Sequence, residues 1–376
     1  MFSYPTPFTP PTTEDDRLSW LRLIRSRRVG PATFLRLLSD HGTAAAALAA
    51  LPAIARASGI DDYEPCPEPV AQTELKAGQR LGARLVFLGA PDYPAPLARI
   101  ADAPPLFWAL GDGNLFSRPV IGMVGARNAS SLGLRMARRL AEGLGEAGFV
   151  IASGLARGID AAAHRAALPF GTIAVQAGGL DVIYPSENAE LARDIARQGL
   201  RLSEQPIGLD PQARHFPQRN RIISGLSQAI VVVEAALQSG SLITARTALD
   251  QGREVMAVPG HPFDGRAGGC NALIRDGAVL VRGPEDVLAH LAPRDTPRPA
   301  AAPPPAATAP APSARVALPE AAGQARILDL LGPSPLAEDQ LIRDLALPAS
   351  DVAPLLLSLE LDGRIQRQPG GLIARV

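Results

Sequence analysis

Cysteine is nearly absent: Cys66 and Cys270 are the only two in 376 residues, and neither belongs to a CxxC pair. A disulfide framework or a thiolate zinc site is therefore excluded, and both thiols are expected to be buried and reduced. Lysine is scarcer still, with Lys76 alone beside 36 arginines. A GxxxxGK[ST] loop needs its lysine at the phosphates, and Lys76 sits in Thr73-Glu74-Leu75-Lys76-Ala77-Gly78, which excludes an ordinary P-loop NTPase. Arginine forks suit bidentate phosphate contacts and stacking on bases instead. There is no net charge, 37 basic residues balancing 37 acidic ones, which excludes a uniformly basic nucleic-acid coat. Any charged site must come from local clustering. No apolar run reaches the roughly 18 residues that span a bilayer. The Pro- and Thr-rich start lacks a basic segment followed by an apolar one. A soluble cytoplasmic protein with no membrane partner is expected.

What is present divides the chain. Residues 293–312 hold eight prolines and seven alanines, a composition that makes a semi-rigid linker and cannot bury a core. The expected plan is a disordered N-terminus (1–14), a small helical domain (15–82), an α/β domain (83–291), the linker (292–317) and a C-terminal domain (318–376). In the first domain Leu18, Leu21 and Ile24 recur at helical spacing before Val29-Gly30-Pro31 breaks the pattern. Arg22, Arg25, Arg27 and Arg28 precede that turn, but residues 1–80 carry nine basic against nine acidic groups. A solvated helix face is the expectation there. In the C-terminal domain three apolar helical patterns precede two short strand-like runs around Gly370-Gly371, the order of a winged helix. Over residues 314–376 six arginines meet eight acids, so groove reading of DNA, which asks for a basic face, is disfavoured against a protein contact or a simple structural appendage.

The middle segment alternates near-continuous apolar runs, at 120–124, 149–152, 172–175, 229–233 and 254–258, with helical stretches. Such runs fit strands buried on both faces of a parallel sheet, giving a Rossmann-like, doubly wound α/β fold with sites at the strands' carboxyl ends. After the first strand, Gly122-Met123-Val124-Gly125-Ala126-Arg127 turns into a helix from Ser131, leaving helix N–H groups for an anion and Arg127 nearby. This is not GxGxxG. After the second, Ser153-Gly154-Leu155-Ala156-Arg157-Gly158 repeats the glycine-and-arginine theme. Residues 118–165 contain seven arginines against three acids, a local excess hidden in the neutral total. The segment Arg214-His215-Phe216-Pro217-Gln218-Arg219-Asn220-Arg221 combines three arginines and one aromatic ring, the mixture that single-stranded nucleic acid uses for phosphates and stacked bases. The alternative is that Phe216 belongs to the core and the arginines pair with Glu204 or Glu234. Ser239-Gly240-Ser241 is expected to cap a helix, with a phosphate contact as the second use. Asp160 and His164 lie four apart, but no HExxH, GxSxG or HxE…CxxC arrangement accompanies them. No catalytic residue, metal or cofactor is assigned.

These motifs, together with Gly178-Gly179-Leu180-Asp181-Val182-Ile183-Tyr184-Pro185, Ile222-Ile223-Ser224-Gly225-Leu226-Ser227, Leu242-Ile243-Thr244-Ala245 and Ala257-Val258-Pro259-Gly260, resemble the DNA processing protein A (DprA/Smf) family in order and along the whole middle segment. The resemblance implies a helical, sterile-alpha-motif-like domain before the sheet and a winged-helix-like domain after it. It also implies sequence-independent binding of single-stranded DNA, protection of incoming DNA in natural transformation, loading of the RecA recombinase, and a homodimer through the Rossmann-like domain. The DNA contacts implied are Gly125, Arg127, Ser153, Gly154, Arg157, Arg214, Phe216, Arg219, Asn220, Arg221, Ser239, Gly240 and Ser241. Lysines that family members often place around the Arg-Asn-Arg segment are here arginine or missing. The rival is a nucleotide-binding hydrolase of related Rossmann-like families that cleave nucleoside monophosphates, whose PGGxGTxxE signature is replaced by Glu234-Ala235-Ala236-Leu237-Gln238-Ser239-Gly240-Ser241.

Overall fold

The computed structural model describes residues 9–292, 320–331, 336–345, 347–368 and 372–375. It forms two compact units, divided after Pro293. Most of the Pro/Ala linker lies outside the described residues.

The first unit opens with four helices, α1 (Glu14–Arg25), α2 (Pro31–His41), α3 (Ala44–Ala57) and α4 (Glu68–Leu81). Thr13 and Asp16 close a reciprocal capping box on α1, with three acids in the first turn and Arg22 and Arg25 in the last, both favourable to the helix dipole. Ordered structure thus begins before residue 15, inside the stretch expected to be disordered, because that cap satisfies the helix's free N–H groups. Pro31 occupies the first position of α2, where its missing N–H costs nothing.

Of the four arginines expected on a solvated face, Arg27 and Arg28 are exposed, but Arg22 and Arg25 are not. Arg22 Nε donates to Cys66 O at 3.0 Å, and Arg25 forks onto Glu74 at 2.9 and 2.8 Å while reaching Glu204 O at 3.0 Å. Glu74 also accepts from Trp108 Nε1 at 2.7 Å, and Trp20 packs on both Phe34 and Phe87. The helical segment therefore shares one core with the sheet.

The sheet follows: β1 (Arg84–Phe87), α5 (Ala95–Ala98), β2 (Leu106–Gly111), β3 (Val120–Gly125), α6 (Ser131–Glu146), β4 (Val150–Ser153), α7 (Ile159–Ala167), β5 (Thr172–Val175), α8 (Ala189–Gln198), β6 (Leu200–Ser203), α9 (His215–Leu226), β7 (Ala229–Val233), α10 (Gly240–Asp250), β8 (Glu254–Ala257), α11 (Gly268–Arg275), β9 (Val279–Leu280) and α12 (Pro284–Leu291). The spatial order is β1-β2-β6-β5-β4-β3-β7-β8-β9. β6 through β9 are parallel, and β1 and β2 add an antiparallel edge. The chain runs outward from β3 to β6 on one side and resumes at β7 on the other. This reversal opens a crevice at the carboxyl ends of β3 and β7. The two cysteines are buried and free, and burial pushes the Cys270 thiol up to about 11.

The second unit comprises α13 (Glu320–Leu330), β10 (Leu336–Ala337), α14 (Glu338–Leu345), α15 (Ala349–Leu361), β11 (Ile365–Gln368) and β12 (Leu372–Arg375). Its strands pair antiparallel in the order β10-β12-β11. The expected three helices and terminal hairpin are present, with one short additional strand. Ile327, Leu341, Val352, Leu356 and Ile373 are among the residues of its own small core.

Candidate nucleic-acid interface

The crevice between β3 and β7 is a cavity of about 660 Å³, floored by residues after both strands and walled by α9 and the start of α10. Its narrowness has a backbone cause. A side chain on Gly125 would run into the carbonyl of Val233 and the side chain of Ile159, so the two loops approach only because that residue is glycine. Ser241 Oγ then donates to Gly125 O at 2.9 Å and ties α10 to the β3 loop. Ser239 caps α10 by accepting from Ser241 N, the use expected of it, and Gly240 faces open space beside it.

The anion expected at the start of α6 comes from within the chain. Glu234, with φ +54°, directs its carboxylate at that helix: Ser130 N donates to it at 2.8 Å and Ser130 Oγ also bonds it. An internal carboxylate thus occupies the place that a bound phosphate was expected to take.

Within α9 the arginines separate by depth. Arg219 is buried, and its Nη1 donates to Gly154 O at 2.6 Å and to Val175 O. Arg221 is buried too, held by Glu204 at 2.5 Å and Asp102 at 3.3 Å, as the alternative pairing with Glu204 anticipated. Neither is the exposed cation that a phosphate contact of the expected kind asks for. Arg219 lines the cavity wall and commits its Nη1 to the ends of β4 and β5. Its neighbour Asn220 accepts from Arg219 Nε at 3.2 Å, and Arg214 is exposed at the helix start.

A side chain at Gly154 would sit 2.6 Å from the Arg219 guanidinium carbon, so this glycine admits the arginine. Ser153 is fully buried with Oγ donating to Met123 O at 2.6 Å, which makes it a tie between β4 and β3 and withdraws it from any ligand. Asp160 Oδ2 accepts from Gly154 N at 3.1 Å and Ala156 N at 3.3 Å, pinning the β4 loop. Burial raises the Asp160 carboxyl, while Arg219 and those two N–H groups oppose it. Burial likewise lowers Arg219 to about 10, against the pull of Asp160. His164 is buried and lowered to about 3, first by burial and then by Arg219.

The exposed chemistry gathers on the other side of the crevice. Arg127 holds its guanidinium over the half-buried Phe216 ring, and Tyr184 packs on that ring from another side. Gly154, Ala156, Arg157, Tyr184 and Phe216 also border an adjoining hollow of about 350 Å³. Arg157 is exposed and pairs with Glu187 at 2.6 Å. The sequence reading missed Tyr184, Asn128 and Arg266 as lining residues; Tyr184 lay inside a quoted motif, and an exposed aromatic beside proline was the available signal. No cluster of three metal-ligating side chains occurs among the described residues.

Comparison with known proteins places these features in a family setting. A family described as DNA recombination-mediator protein A matches residues 84–292, a DprA-like N-terminal HHH domain matches 14–77, and a DprA winged helix domain matches 296–371. The helical segment is thus matched under an HHH description where the resemblance implied a sterile alpha motif. The DNA processing protein DprA of Bacillus subtilis is 44% identical over 224 residues, covering 59% of this chain and 75% of that protein. The X-ray structure of DprA from Streptococcus pneumoniae aligns with a TM-score of 0.61 at 35% identity, covering 74% of this chain and 98% of that one. DNA processing protein A from Helicobacter pylori, a structure concerned with that protein's single-stranded DNA binding mode, aligns at 0.52 and 29% identity over 56% of this chain and 95% of that one.

Proposed function

Because the chain belongs to the DNA recombination-mediator protein A family, we propose that it binds single-stranded DNA without sequence preference, in the crevice at the carboxyl ends of β3 and β7. The observation that carries this reading is Arg127 stacked on Phe216, a cation and a ring together at the mouth of the cavity. Among the described residues no acid pairs with Arg127. Stacking is tolerant of sequence because every base has a π-face, and an arginine beside the ring meets the phosphate. Gly125, Gly240 and Ser241 shape the crevice, Arg157 borders the adjoining hollow, and Arg214 stands exposed at the start of α9 beside Phe216.

The mediator role of this family then takes the form of protecting incoming single strands in natural transformation and loading the RecA recombinase on them, in the cytoplasm. A homodimer through the Rossmann-like domain is part of the same reading. The protein acts by binding and not by turnover. Glu234 at the start of α6 supports that view, since a mononucleotide phosphate would have to displace a carboxylate.

A salt-dependent titration of the full chain with single-stranded and duplex oligonucleotides tests the proposal. Single strands should bind more tightly, with a log-log slope of about 0.7 per phosphate neutralised. Affinity that does not change with salt, or a preference for duplex, would overturn it.

A further inference from the structure

A second hollow, of about 350 Å³, lies between α6 and α7 on the outer side of the β4 loop. Four arginines border it, Arg127, Arg138, Arg157 and Arg165, and the carboxylate among its lining groups, Glu187, is engaged by Arg157 at 2.6 Å. Arg138 stands one turn after Leu134 on α6, and Arg165 one turn after Ala161 on α7, so both side chains rise from the groove's own faces. Ala161 and Ala162 make its floor. Two small residues there keep the floor low between the basic rims.

The bland account of such arginines is a solvated helix surface. Some surface arginines meet acids, Arg22 with Glu68, Arg197 with Asp194 and Arg282 with Asp286. Others, such as Arg36, Arg56 and Arg193, are exposed with no acidic partner among the described residues, so it is placement around one hollow that sets Arg138 and Arg165 apart. Arg138 and Arg165 are exposed and have no acidic partner among the described residues. Their positive charge is left uncompensated while facing a concave surface. The groove is also continuous with the crevice: Arg127 and Asn128 line the main cavity, the hollow beside Phe216 and this groove alike. A strand that stacks a base on Phe216 has an open basic path past Arg127 into this groove.

We infer that the α6–α7 groove is a second DNA-binding subsite, which takes the phosphodiester backbone of the single strand as it leaves the Phe216 crevice, through Arg138 and Arg165. This rests on the crevice being a single-strand site. The floor offers methyl groups and no aromatic ring, so the subsite grips phosphates and reads no base.

The test compares oligothymidylates of about 6 and about 20 nucleotides, lengths chosen around the span of single-strand sites, on the full chain and on Arg138→Gln/Arg165→Gln. The wild type should bind both. The double variant should bind the short oligomer as the wild type does. With the long one its log-log salt slope should fall by about 1.4, two phosphates at about 0.7 each, which corresponds to about 25-fold weaker binding at ~0.1 M salt if the contacts vanish near ~1 M. Arg138→Lys/Arg165→Lys should keep most of the slope, since the charge is retained, and unchanged melting of both variants keeps the comparison clean. An unaltered slope with the long oligomer, or equal losses for both lengths, would overturn the groove while leaving the crevice standing. If the wild type binds neither oligomer, the crevice reading fails and the groove falls with it.

Discussion

Arg127 places its guanidinium carbon 5.2 Å from the centroid of the Phe216 ring, and Tyr184 packs on that ring at 5.6 Å. The ring is thus a platform for a cation, and if it also stacks a base as proposed, the two contacts to DNA are coupled. Phe216→Ala should weaken single-strand binding by about 1–3 kcal/mol through lost stacking. It should also free Arg127, so the double variant with Arg127→Ala should show a coupling of about 0.5–1 kcal/mol, the worth of an exposed cation–π contact. Fluorescence titration of the four proteins measures it. Strict additivity would mean that ring and cation act separately. Because Phe216 is only half-buried, melting should change by less than the 3–5 kcal/mol of a buried aromatic truncation.

Arg219 and Arg127 should fail in opposite ways. Arg219→Ala removes the donor to Gly154 O and Val175 O and leaves the buried Asp160 without its nearby cation, so a loss of stability of about 3–5 kcal/mol is expected. Arg127→Ala should leave urea unfolding unchanged and lower the salt slope by about 0.7. An Arg219 variant that unfolds like the wild type but binds DNA poorly would return that residue to the phosphate-binding role.

The five inner strands were legible because each is apolar on both faces, the signature of a covered parallel sheet. β6 was not, since Leu200-Arg201-Leu202-Ser203 carries a buried arginine whose partners, Gln176 Oε1 at 2.7 Å and Leu180 O, come from a distant loop. The same blindness affected α9. Counting charge in the 214–221 segment gave three cations, whereas depth depends on the helix face. Arg219 lies one turn before the buried Ile223, and helical spacing alone would have placed it inside. The strand-end loops were legible as cavity-lining segments because glycine and serine there have a local meaning. Glu234, which enters the site through a positive φ and a bond to Ser130, has no local signal.

His164 supplies an acid limb to stability. Thr172 Oγ1 donates to Ile151 O at 2.8 Å and therefore accepts from His164 Nδ1 at 2.7 Å, fixing the neutral ring with its proton on Nδ1. Its value in the folded protein is lowered from 6.5 to about 3. Between those limits the unfolded chain binds a proton that the folded one does not, so acid favours unfolding. The contribution is complete above pH ~6.5 and is lost toward pH ~3 at about 1.4 kcal/mol per pH unit. Urea unfolding across this range should show the limb, and His164→Gln should flatten it. An equal pH slope in that variant would assign the limb to other groups.

Glu234 carries the last expectation, because the bond to the Ser130 N–H at the start of α6 can be separated there from the carboxylate's other contributions. Glu234→Gln keeps one oxygen to accept from Ser130 N and loses the charge that favours the helix start, about 0.3–1 kcal/mol, together with the second oxygen that takes the Ser130 hydroxyl. Glu234→Ala also leaves the Ser130 N–H without the acceptor now 2.8 Å away, raising the cost to about 1–3 kcal/mol. Glu234→Gly should recover part of that loss, since the residue sits at φ +54°, where a side chain is strained and glycine is not. The order expected in urea unfolding is therefore wild type, then Gln, with Ala the least stable and Gly above Ala. Equal destabilisation by Gln and Ala would leave the Ser130 N–H bond with no contribution of its own, and a Gly variant no better than Ala would remove backbone strain from the account.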